Sequence, residues 1–201
     1  FGFTIAKSDM QNMEVSEKEL EDIIFHASTD DLFERGIYLE GKTFRQLRIG
    51  NYGIADIVTA QLLETDRNRS TLFIKIYELK KEEINIFAFL QALRYVKGIK
   101  EYVSIKNPKI KTKFGIVLVG KSIDNSGNGF PYLTDLIGGA DEYNGGTIGS
   151  VEFYTYELKI DGFYFDRRSG YSLPNNRFNI KTKFKERVKN PIDTEEDDLP
   201  F

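Results

Sequence analysis

The chain has 201 residues, a length that fits one domain of ordinary globular composition. Cysteine is absent and His26 is the single histidine. This excludes a disulfide scaffold, a thiolate zinc site, a cysteine nucleophile and a multi-histidine metal centre, so a bound metal has to be held mainly by oxygen, as magnesium or manganese is. The 28 basic and 31 acidic residues give a formal net charge of -3, which as an average disfavours a nucleic-acid binder.

Ser16 has the chemistry of an N-cap, with Glu19 as its capping-box partner, and Leu20, Ile23, Ile24 and Ala27 form an apolar stripe. A helix is predicted from there to His26 or Ser28, followed by a short one over Asp30 to Gly36. Phe44 to Ile49 alternates apolar and polar residues at period two, as a strand does. Asn51-Tyr52-Gly53 signals a turn. Ile54 to Leu63 and Thr71 to Leu79 read as strands joined by the polar turn Asp66 to Ser70.

Helical spacing returns over Ile84 to Val96, and the apolar run in Lys113 to Gly120 suits a central buried strand. Gly127 to Gly149 reads as a long loop with a short helix over Leu133 to Ile137. Val151 to Ile160 and Phe163 to Phe165 are predicted strands around the turn Asp161-Gly162. The order predicts an α/β fold, a mixed sheet flanked by helices with additional C-terminal strands. No apolar run approaches the ~18 residues of a membrane span, and Phe1 to Met13 lacks the pattern of a signal peptide. The expected setting is cytoplasmic, without a membrane partner.

Three features carry chemistry. Asp56 stands among Ala55, Ile57 and Val58, where a carboxylate is costly to bury unless it is paired or binds a cation. Glu78 and Lys80 close the next strand and share a face at period two. Gln91 follows on the next helix, with Arg94 and Tyr95 beyond it. If the strands of Asp56 and Glu78 are hairpin neighbours, the two carboxylates converge and repel unless a divalent cation lies between them. Lys80 beside that cation can orient or deprotonate a water, or stabilise charge on a phosphate. The plainer reading makes Asp56 a turn cap, Glu78–Lys80 an exposed ion pair, and Gln91 and His26 ordinary helix residues.

These segments resemble the PD-(D/E)XK nuclease superfamily, whose fold is restriction-endonuclease-like. F-R-Q-L-R-I-G-N-Y-G-I-A-D-I-V is similar to the segment that leads to the metal-binding Asp, I-Y-E-L-K-K to the E-x-K strand, F-L-Q-A-L-R-Y-V to the following helix with its Q-x-x-x-Y pattern, and S-E-K-E-L-E-D-I-I to the first helix. The likeness covers roughly residues 14 to 120, and Ala55 replaces the motif's Pro. It implies Asp56 and Glu78 as Mg²⁺ or Mn²⁺ ligands, Lys80 as the catalytic lysine and Gln91 as a helix residue pointing into the site. It also implies an additional acid on the first helix, Glu21 with Glu17 in reserve, these two lying on one face at i, i+4. The implied activity is metal-dependent hydrolysis of DNA phosphodiester bonds in repair, replication or defence.

Two lysine-rich stretches are candidate phosphate contacts: Lys106, Lys109, Lys111 and Lys113 in the first, Lys181 and Lys183 in the second. A solvated charged face is the simpler account of both. Residues 193 to 201 hold five acids and no base; without them the chain has 28 basic and 26 acidic residues, or +2. The acidic average therefore hides a mildly basic body. A domain over 1–190 and an acidic tail over 191–201 are expected, the tail solvated.

The tail T-E-E-D-D-L-P-F resembles the acidic tip of bacterial single-stranded-DNA-binding proteins. That resemblance implies Leu199, Pro200 and Phe201 as anchors and Asp197 and Asp198 as steering charges toward proteins that recognise such tips. It also gives the rival function: a catalytically inactive nuclease-fold protein that recruits or competes for repair and replication partners. The sequence does not fix the oligomeric state, and a homodimer is compatible with it.

Overall fold

The computed structural model describes residues 15–65, 69–124, 130 and 147–168. The first helix, α1 (Glu17–His26), starts on the capping box read from the sequence: the Ser16 hydroxyl accepts from the Glu19 amide while the Glu19 carboxylate accepts from the Ser16 amide. A second cap, Ser28 on the Asp31 amide, opens α2 (Thr29–Glu34). Then come β1 (Lys42–Arg48), a single 3-10 turn (Gly50–Tyr52), β2 (Ile54–Thr65), β3 (Arg69–Leu79), the two-residue β4 (Glu83–Ile84) and α3 (Ile86–Lys106). The chain continues as β5 (Lys111–Gly120), the short β6 (Ser122–Ile123), β7 (Ile148–Lys159) and β8 (Gly162–Arg168).

Six strands form one sheet in the order β1-β2-β3-β5-β7-β8. The β1-β2, β2-β3 and β7-β8 pairs are antiparallel, whereas β3-β5 and β5-β7 are parallel. This is the mixed sheet flanked by helices that the element order predicted, with β7 and β8 as the added strands. Strand alternation distributes the core over both faces. Ile74, Ile76, Ile116 and Leu118 pack on one side with Phe89, Ala92, Tyr95 and Ile99 of α3. Tyr77, Leu79, Val117 and Val119 pack on the other with Leu20 and Ile24 of α1 and Leu32 of α2. The continuous apolar run of β5 is thus explained by burial on both faces.

Most element boundaries lie within a few residues of the sequence reading, with two larger departures. Helix α3 runs ten residues past Val96, to Lys106, because Gly98 and Ile99 continue its buried face and Asn85 caps its start by accepting from the Phe87 and Ala88 amides. β4 and β6, which pair in parallel, were not expected; two residues are too few to show a period. Most of the 127–149 loop, the helix expected over 133–137 and the tail lie outside the described residues. Among the described residues no helix is long and apolar enough to cross a membrane.

The crossover β3-α3-β5 joins two parallel neighbours, so α3 runs back antiparallel to both, starting near the C-terminal end of β3. Its contact with the turn before β2 is made through Gly98. A Cβ there would stand 2.5 Å from Tyr52 Cδ2 and 2.6 Å from Ile49 Cγ2. Only a residue without a side chain lets this flank of α3 lie against the loop that delivers β2. Gly98→Ala should therefore lower unfolding stability by about 1–3 kcal/mol, the range for forcing a methyl into a packed site. Urea denaturation followed by circular dichroism measures this.

Candidate metal and phosphate site

β2 and β3 are hairpin neighbours, as the convergence of Asp56 and Glu78 requires. Their ladder ends at the pair Ile57–Tyr77. One step further the register sets Asp56 opposite Glu78, and there the strands part. Asp56 Oδ2 accepts from the Leu79 amide at 2.9 Å, so a side chain takes over the hydrogen bond that the backbone no longer makes. The other neighbour of Asp56 is irregular too. β1 pairs with β2 at Arg45–Ile57 and Leu47–Ala55 but skips Gln46, the residue in register with Asp56. Gln46 has φ +47°, the one positive φ on a non-glycine residue among the described residues. Asp56 therefore sits where the sheet opens on both sides.

Glu78 is fully buried at the end of β3. Its Oε1 accepts from Lys80 Nζ at 2.7 Å, and its Oε2 has no hydrogen-bond partner. Burial pushes the Glu78 carboxyl up to about 7, Asp56 adds to the rise, and the Lys80 hydrogen bond and charge only partly oppose it. Burial likewise raises Asp56 to about 6, against the opposing Leu79 amide and the Lys80 charge, with Glu21 and Glu17 adding repulsion. For Lys80, burial works against the charge, but the Glu78 hydrogen bond and the charges of Glu78, Glu17 and Asp56 outweigh it and raise its affinity for the proton. Two desolvated carboxylates thus share one ammonium, which leaves an excess of negative charge.

An unpartnered carboxylate oxygen in the interior costs of order 1–3 kcal/mol, more when ionised. A divalent cation would give Glu78 Oε2 a partner and offset the charge it shares with Asp56, so the chemistry of these two residues fits such an ion. No group of three or more acidic or histidine side chains is placed to hold a metal among the described residues. Two carboxylates would supply the protein's donors, and water, backbone or substrate oxygen would have to fill the remaining positions of an ion such as Mg²⁺.

The first-helix acids take different positions. Glu21 is buried, with Oε1 accepting from Arg45 Nε and Oε2 from Gln46 Nε2, and Arg45 also bridges to Asp22. Each Glu21 oxygen keeps a second lone pair, and its charge reaches Asp56. Glu17 accepts from the Lys81 amide at 3.4 Å and adds negative charge at Asp56, Glu78 and Lys80 alike. Arg45 and Gln46 were missed in the sequence, where they look like ordinary members of an alternating strand. Gln91, half-buried on α3, donates to Tyr95 Oη at 2.8 Å, the pairing that i, i+4 spacing allows. His26 bonds the Asp22 carbonyl on its own helix, away from this chemistry.

The lysine stretch lies elsewhere. Lys111 pairs in register with Thr71 and Lys113 with Phe73, seven and five residues from Glu78, so they lie toward the opposite end of the sheet, ~23 Å and ~17 Å from it at ~3.3 Å per residue. Lys106 ends α3 at that same far end, and Lys109 is in the loop that follows. These lysines do not adjoin the carboxylate pair, because a parallel crossover returns the chain to the far edge before β5 begins. Lys181, Lys183, Asp197, Asp198, Leu199, Pro200 and Phe201 lie outside the described residues.

Among solved structures the chain is similar to the crystal structure of a repair endonuclease from Pyrococcus abyssi, at 24% identity over 73% of this chain, with a TM-score of 0.40. It covers 49% of that protein, about half its length. No protein-family model matches the chain, and no curated protein matches it.

The raised carboxyls fix the sign of a pH dependence. The folded metal-free protein binds protons at Glu78 and Asp56 that the unfolded chain has released, so their contribution to stability is full below about pH 4 and is lost as pH rises through 6 to 7. Glu78→Gln should flatten that loss and raise the melting temperature of the metal-free protein at pH 8. Mn²⁺ should raise the wild-type melting temperature more at pH 8 than at pH 5.5, since it competes with those protons. Thermal melts at the two pH values, with and without Mn²⁺, read both effects.

Proposed function

We propose that this chain is a divalent-metal-dependent nuclease of the PD-(D/E)XK kind that hydrolyses DNA phosphodiester bonds. The observation that carries the reading is the buried, unpartnered Glu78 Oε2 beside Asp56, at a place where the sheet opens, with Lys80 bonded to the same carboxylate. Burying two mutually repelling carboxylates weakens a fold, and cation binding compensates that cost.

On this reading Asp56 and Glu78 hold Mg²⁺ or Mn²⁺, which when bound supplies Lewis-acid polarisation of a phosphoryl oxygen and an acidified water. Lys80 keeps its proton and donates to an oxygen at the reacting phosphorus, where the extra negative charge of the transition state develops. Its bond to Glu78 holds the ammonium in place beforehand. Glu17 and Glu21 add negative charge next to the cation position, and Arg45 with Gln46 keeps Glu21 from turning away. Gln91 orients the mouth of the site from α3 through Tyr95.

Cleavage of single-stranded and duplex DNA with Mg²⁺ or Mn²⁺ tests the proposal. Asp56→Ala, Glu78→Ala and Lys80→Ala should each lower the rate at least about 100-fold, the usual scale for losing one electrostatic or proton-handling group, and EDTA should abolish cleavage. Absence of cutting by the wild type with either metal, or wild-type rates in Asp56→Ala, would overturn it.

A further inference from the structure

One flank of α3 runs along the loop that delivers β2. Phe87, Gln91, Arg94 and Gly98 follow at i, i+4, i+7 and i+11, which at 100° per residue places them within one narrow arc. The contacts fix where this arc faces. Gly98 lies under Tyr52 and Ile49, and the Arg94 guanidinium comes within 3.6 Å of the Cβ position of Gly53, three residues before Asp56. The opposite flank faces the start of β7: Lys100 Nζ bonds Oγ1 of Thr147, the residue before that strand, at 2.6 Å. The Phe87–Arg94 arc therefore borders the mouth of the carboxylate site.

Its exposed members are chemically matched to a nucleic-acid strand. Arg94 makes no ion pair among the described residues and rests over the Tyr95 ring at 5.8 Å, which leaves its donors toward solvent. Arg48 and Lys81 near the same end also make no ion pair among the described residues, whereas Arg45, Lys80 and Lys121 are each held by a carboxylate. Phe87 is 73% exposed, and Leu90 beside it is 49% exposed. An aromatic ring this exposed in the first turn of a helix gains nothing from the fold. Along the axis Phe87 and Arg94 are ~10 Å apart, about three nucleotides at the ~3.4 Å rise of a stacked strand.

We propose that this flank is a track for a DNA strand with unpaired bases, Arg94 holding a backbone phosphate and Phe87 stacking a base. The inference rests on the nuclease reading and adds the substrate class: a strand, or a junction with an unpaired arm, rather than a continuous duplex. A base inside a duplex has no free face to offer Phe87, so the aromatic contact selects for strands, while the cation alone would not.

The test is fluorescence anisotropy of a labelled oligonucleotide of about 20 nucleotides, single-stranded or annealed to its complement, binding the full chain in EDTA so that nothing is cut. The wild type should bind the single strand at least about tenfold more tightly than the duplex. Phe87→Ala should weaken single-strand binding about tenfold with the salt dependence unchanged, and Phe87→Trp should restore it. Arg94→Gln should weaken binding and reduce the slope of log K against log salt by about 0.7. Both residues are exposed, so thermal melts of the variants should match the wild type.

Equal affinity for strand and duplex, or wild-type binding by Phe87→Ala and Arg94→Gln, would overturn the track. A changed sedimentation coefficient in Phe87→Ala with unchanged oligonucleotide binding would also overturn it and assign the flank to contact between copies. No single-strand binding by a wild type that still cuts DNA with Mn²⁺ would overturn the track alone, whereas neither binding nor cutting would overturn the nuclease reading itself.

Discussion

Two carboxylates, buried Glu78 and half-buried Asp56, stand in register on adjoining strands, with the Lys80 ammonium bonded to Glu78. Everything around them answers that constraint. Neighbouring strands normally close on each other through their backbone groups, and a closed ladder here would leave no room for an ion. Instead the β2-β3 ladder stops at Ile57–Tyr77, the β1-β2 ladder skips Gln46, and Asp56 bonds the Leu79 amide with its side chain. The gap is therefore made without orphaning that amide. What is left unsatisfied is one oxygen of Glu78.

The electrostatic imbalance is local and deliberate in its layout. Glu21 is locked between Arg45 and Gln46, so its charge is fixed near Asp56 rather than free to seek solvent. Glu17 adds charge from the first turn of α1, through a contact with the Lys81 amide. The positive φ of Gln46 belongs to the same arrangement: the backbone turns out of the ladder at the residue whose side chain reaches Glu21. Strain of this kind is of order 1–3 kcal/mol and persists only where the surroundings hold it.

Helix α3 links this site to the rest of the molecule. It covers one face of the sheet with Phe89, Ala92, Tyr95 and Ile99, and it presses Gly98 against the loop that starts β2. The same helix thus carries core on one arc, and the site border with its exposed residues on another. Its direction also separates the two ends of the sheet. The carboxylate pair lies at the C-terminal end of β3, while Lys106, Lys111 and Lys113 lie where β5 begins. Basic residues near one another in sequence are therefore not basic residues near the site.

The sequence by itself determined the element types and the chemistry available. Capping at Ser16, period two in β1, the doubly buried run of β5, and the pairing of Glu78 with Lys80 on one strand face are local properties, set by propensity and by spacing within a few residues. The hairpin of β2 and β3 was legible for the same reason, since only a short polar segment separates them in the chain. Tertiary structure alone decided what depends on residues far apart in the chain. Arg45 and Gln46 meet Glu21 across 24 and 25 positions, and Gly98 meets Tyr52 across 46. The parting of the strands at Asp56 and the placing of the lysines at the far end follow from register and crossover, which no local period encodes. Local chemistry names the groups; only the packing of distant segments fixes which of them share a desolvated space, and desolvation gives two ordinary carboxylates their altered charge behaviour.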